Sequence, residues 1–312
     1  MYKRIPLIFV LLQGWIGLSQ AGTLPKIYDA PFLPGERIVY VAEYMSMEIA
    51  RIEFHLVGII DTLNTTLFHA RATLQSNPRV PLIVVRDQYD AYFDAEGRPY
   101  LHTGKGQRRR YAFRLQYRFD HEAGTVSGWE YRQKGFEEKL RGQYQAEMNG
   151  LIFDPLTLFY YIRAFLKQRG TYERETLHVF ANGKTRVVQI RPHRTVQNVR
   201  LIQQELLGFP LDLKLKFKGI AGIRDIIQFI MSADQKMLPV TGELRFALGK
   251  MKIRLKEYHP GKWPFVQSAD QSGFAVPDRL KNQPLRPSAA AEAIAGQPSN
   301  ANSWTPGSTN QK

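Results

Sequence analysis

The sequence predicts a mainly β protein: an antiparallel curved sheet, or partly open β-barrel, wrapped around one central helix. Three observations carry this. Residues 154–166 are the one convincing helix after the N-terminal leader. Nearly everything around it in sequence reads as strand, and the segments 111–119, 211–218 and 249–256 alternate apolar and polar residues with period two. Short turn signals of Gly, Asn, Asp and Pro separate those segments.

The helix reads Asp-Pro-Leu-Thr-Leu-Phe-Tyr-Tyr-Ile-Arg-Ala-Phe-Leu from Asp154 to Leu166. The Asp154 carboxylate suits the N-cap, and Pro155 suits the first helical position. Lys167 and Arg169 complement the C-terminal end, and Gly170 can take the left-handed cap. The segment is apolar almost all round, so it is expected to be enclosed. At about 1.5 Å per residue it is too short for a usual membrane span.

Strands are expected over 37–45, 49–60, 65–74 and 84–93, with turns at 46–48, at 61–64 and at Asp94-Ala95-Glu96-Gly97. Residues 76–81 carry two prolines and cannot be a central strand. Tyr111, Phe113, Leu115, Tyr117 and Phe119 alternate with mostly basic residues, the mark of a strand with one wet face. Strands over 125–133 and 136–146 follow. After the helix, Asn182-Gly183 joins 175–181 to 184–191 as a hairpin. Residues 211–218, 225–232, 240–247 and 249–256 complete the set. Gly104-Lys105-Gly106 reads as a loop.

Residues 1–21 read as a signal peptide, with Lys3 and Arg4 before an apolar run and Ser19-Gln20-Ala21 at the cleavage positions. A single β-rich domain over 22–265 follows. A low-complexity tail over 266–312, too poor in apolar residues to offset its ordering entropy, is expected to be disordered. After cleavage no integral membrane segment is expected. The address implied is the periplasm of a Gram-negative-type bacterium, with secretion as the alternative.

The chain has no cysteine, which excludes disulfides, thiolate nucleophiles, Cys-ligated metals and a lipoprotein anchor. Its net charge of +15 favours anionic partners. Export makes nucleic acid the least expected of these. No nucleophile elbow, zinc-protease motif or phosphate-binding loop is present, and no cofactor, metal or catalytic residue is assigned. His55 and His69 lie on strands that could bring them together. Asp87, Asp90, Asp94 and Glu96 form an acidic cluster more in keeping with a strand running into a turn than with a cation site.

The basic rows are the better signal. Lys214, Lys216 and Lys218 share one strand face, as do Lys250, Lys252, Arg254 and Lys256; Arg110, Arg114 and Arg118 make a third row. Such rows bind phosphate or carboxylate groups, or else form a solvated surface neutralised by cross-strand acids. The aromatic helix poses a similar choice. Phe159, Tyr160, Tyr161 and Phe165 fill the core, or they border an apolar groove left by a sheet that closes incompletely.

Several scattered residues in order resemble a bacterial family of exported proteins, domain of unknown function 3108. They are Phe32, Gly35-Glu36 and Tyr40; Asp87, Tyr89, Asp94 and Pro99; Phe119-Asp120; Asp154, Leu156 and Tyr160 to Arg163; Ser232, Asp234, Leu238 and Pro239; and Gly249 with Leu255. The resemblance implies the fold and an exported location, and carries over no catalytic residue.

The functional expectation is a non-enzymatic envelope protein that binds an amphipathic anionic ligand, a lipid or lipid-linked glycan. The candidate residues are Phe159, Tyr160, Tyr161 and Arg163 at a helix–sheet groove, with Lys214, Lys216, Lys252 and Arg254 for the head group. The alternative is an assembly factor docking on an envelope protein complex or acidic polysaccharide through the basic face. A hydrolase is the third reading.

Overall fold

The computed structural model describes residues 30–61, 66–80, 84–169, 174–200, 205–215, 226–246 and 249–262. The expected signal peptide, the expected tail, Lys216 and Lys218 lie outside the described residues.

The first half of the chain is a meander of eight strands: β1 (Arg37–Tyr44), β2 (Met47–Asp61), β3 (Thr66–Ser76), β4 (Val85–Phe93), β5 (Pro99–Arg108), β6 (Ala112–Asp120), β7 (Thr125–Lys134) and β8 (Glu137–Glu147). A short β9 (Ile152–Phe153) leads into helix α1 (Pro155–Arg169). Then come β10 (Glu175–Ala181), β11 (Lys184–Pro192), β12 (Gln197–Arg200), β13 (Glu205–Leu215), β14 (Ile226–Ser232), β15 (Pro239–Phe246) and β16 (Gly249–His259).

All these strands join one sheet in the order β8-β7-β6-β5-β4-β3-β2-β1-β16-β15-β14-β13-β11-β10-β9, with β12 added on β13. β9 and β10 are parallel and every other pairing is antiparallel. The last long strand, β16, pairs with the first, so the two halves of the chain meet at Arg37↔His259 through Glu43↔Lys252. Among the described residues the ends of the ladder, β8 and β9, are not hydrogen-bonded to each other, so this sheet is not closed.

Side chains bridge that gap. Tyr117 and Phe119 of β6 and Val126 of β7 form one cluster with Ile152 of β9 and Phe180 of β10. The Tyr117 and Phe180 rings meet edge to face at 5.0 Å. Gly183, at the tip of the β10–β11 hairpin, sits against the Tyr144 ring of β8 so closely that a Cβ there would collide with it. The turn itself is as the dipeptide predicts, with φ of 52° at Asn182 and 71° at Gly183.

The helix starts where its caps place it. Asp154 Oδ1 accepts from the amides of Leu156 (2.8 Å) and Thr157 (3.1 Å). Leu156, Tyr160 and Ala164 pack with Leu56, Phe68 and Phe93 of β2–β4. Leu158, Tyr161, Ile162 and Phe165 pack with Phe153, Val179, Val188, Leu211 and Met231 from β9 to β14. One helix therefore contributes to the cores of both halves of the sheet, which is why nearly all its faces are apolar.

Three expectations need correction. The segment 99–108 is a full strand, β5, although Gly104 and Gly106 read as a loop. A Cβ at Gly104 would meet Tyr89 and Leu115; one at Gly106 would meet Asp87 and Phe113. These glycines make room for cross-strand neighbours. The strand expected from 211 begins at Glu205. Its Pro210 falls where the strand's partner changes from β12, whose pairing with it runs to Gly208, to β11, whose pairing with it starts at Leu211. The turn expected at 46–48 is the two-residue link Met45-Ser46, with positive φ at both.

Candidate functional site

On the helix-facing side of β4–β7 the register lines up three cross-strand rows. Ala91, His102, Tyr117 and Gly128 form one; Tyr89, Gly104, Leu115 and Glu130 the next; Asp87, Gly106, Phe113 and Arg132 the third. The rows thus grade from aromatic to charged along the strands. The small residues leave a cleft of about 690 Å³, lined by Tyr89, His102, Arg108, Tyr111, Phe113, Tyr117, Glu130 and Arg132, with Phe54 and Pro155 at one side.

Phe54 and Pro155 also border a second, smaller cavity of about 200 Å³ between α1 and the sheet. Its walls are Leu158, Phe159 and Ile162 of the helix, Tyr40 and Ile52 of β1 and β2, and Leu211, Leu213, Phe229, Met231 and Ile253 of β13, β14 and β16. Phe54 and Phe159 stack almost parallel at 4.1 Å where the two spaces adjoin. The Tyr40 hydroxyl is buried in the smaller chamber and has no hydrogen-bond partner among the described residues. Burial pushes this phenol well above the usual range; the nearby Arg163 charge opposes that.

The floor of the cleft is a ring stack. His102 lies between Tyr89 and Tyr117, each 5.9 Å away and within 16° of parallel. His102 Nδ1 is 2.9 Å from Asp154 Oδ1, so the helix cap and the cleft floor share a carboxylate. Burial would raise the Asp154 carboxyl; the facing His102 ring and the hydrogen bonds from Thr157 outweigh it and hold it below the ordinary range. Chemically, the pair fixes the ring and the helix start.

At the far end, Arg108 pairs with buried Asp87, and Arg132 Nε lies 3.0 Å from Glu130 Oε1. Burial pushes the Asp87 carboxyl up, against Arg108 and the Tyr89 hydroxyl that donates to it at 3.2 Å. The Arg132 guanidinium also lies 4.8 Å over the Tyr111 ring. A guanidinium has five N–H donors, and each of these pairings engages few of them. Both arginines are therefore anchored and still able to donate to a ligand in the cleft.

The residues singled out from sequence separate into three places. Phe159 lines the chamber. Tyr160 and Tyr161 are core: Tyr160 packs on Phe32 at 5.0 Å and Tyr161 on Phe153 at 4.4 Å. Arg163 reaches the chamber wall but is fully buried and held by Glu36, with Nη1 to Oε2 at 2.7 Å and Nη2 to Oε1 at 2.8 Å. It also donates to the Pro31 and Lys236 carbonyls. Burial works against its charge, but the Glu36 carboxylate outweighs that and raises its pKa. Lys214, Lys252 and Arg254 are exposed on the opposite side of their strands from the chamber-lining Leu213 and Ile253.

That basic face is largely balanced. Lys250 pairs with Glu243 at 3.2 Å, Arg254 with Glu43 and Lys256 with Glu48 at 3.4 Å, while Lys252 sits in register with Glu43 and Glu243. Arg114 is bidentate to Glu138, with both bonds at 2.7 Å. The acidic cluster is likewise divided. Asp90 pairs with His69 and Arg71, and Asp94 with Arg98. Among the described residues, no group of three metal-ligating side chains converges. Sequence reasoning missed Arg108, Glu130 and Arg132. Each sits on an ordinary alternating or glycine-rich stretch, and only the pairing of three strands, β5 to β7, brings them together.

No curated protein matches the chain. Among solved structures, a β-barrel-like protein of domain of unknown function DUF1849 from Brucella abortus is similar over 73% of this chain and 98% of its own, with a TM-score of 0.47 and 10% identity. A protein with a YmcC-like fold from Bacteroides fragilis NCTC 9343 is similar over 74% and 99%, with a TM-score of 0.32 and 9% identity. Among the described residues, no helix is long and apolar enough to cross a membrane. The model of the family "Protein of unknown function (DUF3108)" matches residues 39–256, from within β1 to within β16. Most of the residues that resemble this family in the sequence fall within that stretch, with Phe32, Gly35 and Glu36 just before it, and the chain belongs to the DUF3108 family.

Proposed function

We propose that this is an exported envelope protein that binds an amphipathic anionic ligand, a lipid or lipid-linked glycan, without chemically changing it. The sheet curls around α1 as a partly open barrel, and the ligand lies between helix and sheet. One observation carries the reading: an apolar chamber adjoins, through Phe54 and Pro155, a cleft bearing Arg108 and Arg132. Apolar and cationic surfaces on adjoining concavities are what an amphipath with an anionic head requires. The head group is thus assigned to the cleft arginines rather than to Lys214, Lys252 and Arg254, which point away from it. Docking through the outer basic face is the weaker reading, because acids oppose most of that face.

The test is native mass spectrometry of the full chain purified gently from its own host, followed by organic extraction. A co-purifying lipid or glycolipid, lost on Arg108→Glu and Arg132→Glu, is the expected result. If reloading the apoprotein with anionic lipids gives no complex in any composition, the reading fails.

A further inference from the structure

The sizes of the two spaces and their shared wall restrict the ligand class further. The 690 Å³ cleft falls in the range of about 300–1,000 Å³ that holds one small ligand. The chamber beyond it, at about 200 Å³, is only modestly larger than a protein cavity of about 150 Å³ that accommodates one benzene. It has space for the end of one hydrocarbon chain and not for two chains side by side. The Phe54 ring, stacked on Phe159 at 4.1 Å, belongs to the walls of both spaces and so stands between them. Phe54 is only partly buried and Phe159 likewise, so both rings retain an open side. Ile253, on β16, borders the chamber and is also only partly buried.

Resting on the binding function proposed above, we infer that the ligand is a single-chain anionic amphipath, such as a fatty acid or lysophospholipid. Phe54 and Ile253 set the length of chain it may carry. The carboxylate or phosphate lies at the free N–H groups of Arg108 and Arg132. The chain crosses the aromatic floor past Phe54 and ends in the chamber. A diacyl lipid leaves its second chain in water.

Isothermal titration of the full chain with saturated fatty acids from octanoate to stearate, with lysophosphatidylglycerol, and with dioleoyl phosphatidylglycerol vesicles tests this. Affinity is expected to rise with chain length and then level off, with no extraction from diacyl vesicles. Ile253→Phe narrows the chamber and is expected to move the plateau to shorter chains, costing the longer ones about fourfold for each methylene denied burial. Phe54→Leu widens the entrance and is expected to move the plateau to longer chains. Opposite shifts cannot arise from a general loss of stability, and short-chain binding serves as the folding control in each variant. Single-chain binding with an unchanged length profile in both variants overturns the assignment of Phe54 and Ile253. Binding of diacyl lipid as tight as that of single-chain lipid overturns the single-chain class. In both cases the lipid site itself stands. Absence of binding by every probe removes the site and the inference together.

Discussion

Arg163 is a full charge in the apolar body of α1, ahead of the basic last turn, and Glu36 is its counterpart, more than a hundred residues earlier in the chain. The pair is bidentate and sealed from water, with the Phe32 and Phe159 rings 5.3 and 5.6 Å from the guanidinium carbon. Removing one partner leaves the other charged in a dry place, so Glu36→Gln is expected to cost about 3–5 kcal/mol in urea denaturation. A lone arginine in a greasy helix is a sequence signal for a buried acid, but nothing local says which acid. Asp90 shows the opposite balance. Burial would raise its carboxyl, yet hydrogen bonds from His69, Gln88 and Arg71 outweigh this and bring it from the ordinary 3.8 to about 2. A carboxyl depressed on folding stabilises above its unfolded pKa, and that gain is lost as pH falls through the folded value. The pH-dependent part of the stability difference between wild type and Asp90→Asn is therefore expected to be constant near neutrality, to shrink as pH falls below about 4, and to be lost only below about pH 2. A difference that stays constant from neutrality down to pH 2 would refute it.

At the level of elements, α1 was the easiest to read. Its cap, its first proline and its apolar surround are local features, and the helix runs from Pro155 to Arg169, against an expected end at 166. The strands with clean alternation were also legible, as was the Asn182-Gly183 hairpin. β5 was not. A strand propensity argument discounts Gly104 and Gly106, whereas the register makes them necessary. Gly106→Ala is expected to destabilise by about 1–3 kcal/mol, because the new methyl must displace either the Asp87 carboxylate held by Arg108 or the Phe113 ring. The equilibrium midpoint in urea reads this directly; a neutral or stabilising result would mean that the two side chains yield without cost. Pro210 was a second illegible position, since only the tertiary pairing reveals that its strand changes partners there.

For the whole molecule, the mainly β class and the family were legible, because both rest on patterns spread over most of the chain. The candidate site was legible only in outline. The helix–sheet groove and its Phe159 were expected; the arginines that face the cleft were not, and the basic rows that were expected to serve it lie on the other face. Alternation tells which residues share a face, but not which face turns inward or which distant acid sits opposite. Arg254 and Glu43, for example, meet across the pairing of the first and last long strands. Lys214→Glu, Lys252→Glu and Arg254→Glu together are therefore expected to leave lipid binding unchanged within about twofold, whereas Arg108→Glu with Arg132→Glu is expected to weaken it by roughly tenfold or more. Equal losses from the two sets would return the head group to the outer face.

The join between β6–β8 and β9–β10 gives the sheet an unusual mechanical property. A closed barrel widens only by breaking a ladder of backbone hydrogen bonds, each of which must then find water. Here the two margins meet through Tyr117, Phe119, Tyr144 and Phe180, like the halves of a clasp. Parting them changes side-chain rotamers and apolar contact and leaves every strand pairing intact. The margin beside the cleft is thus also the one that yields at least expense to the backbone.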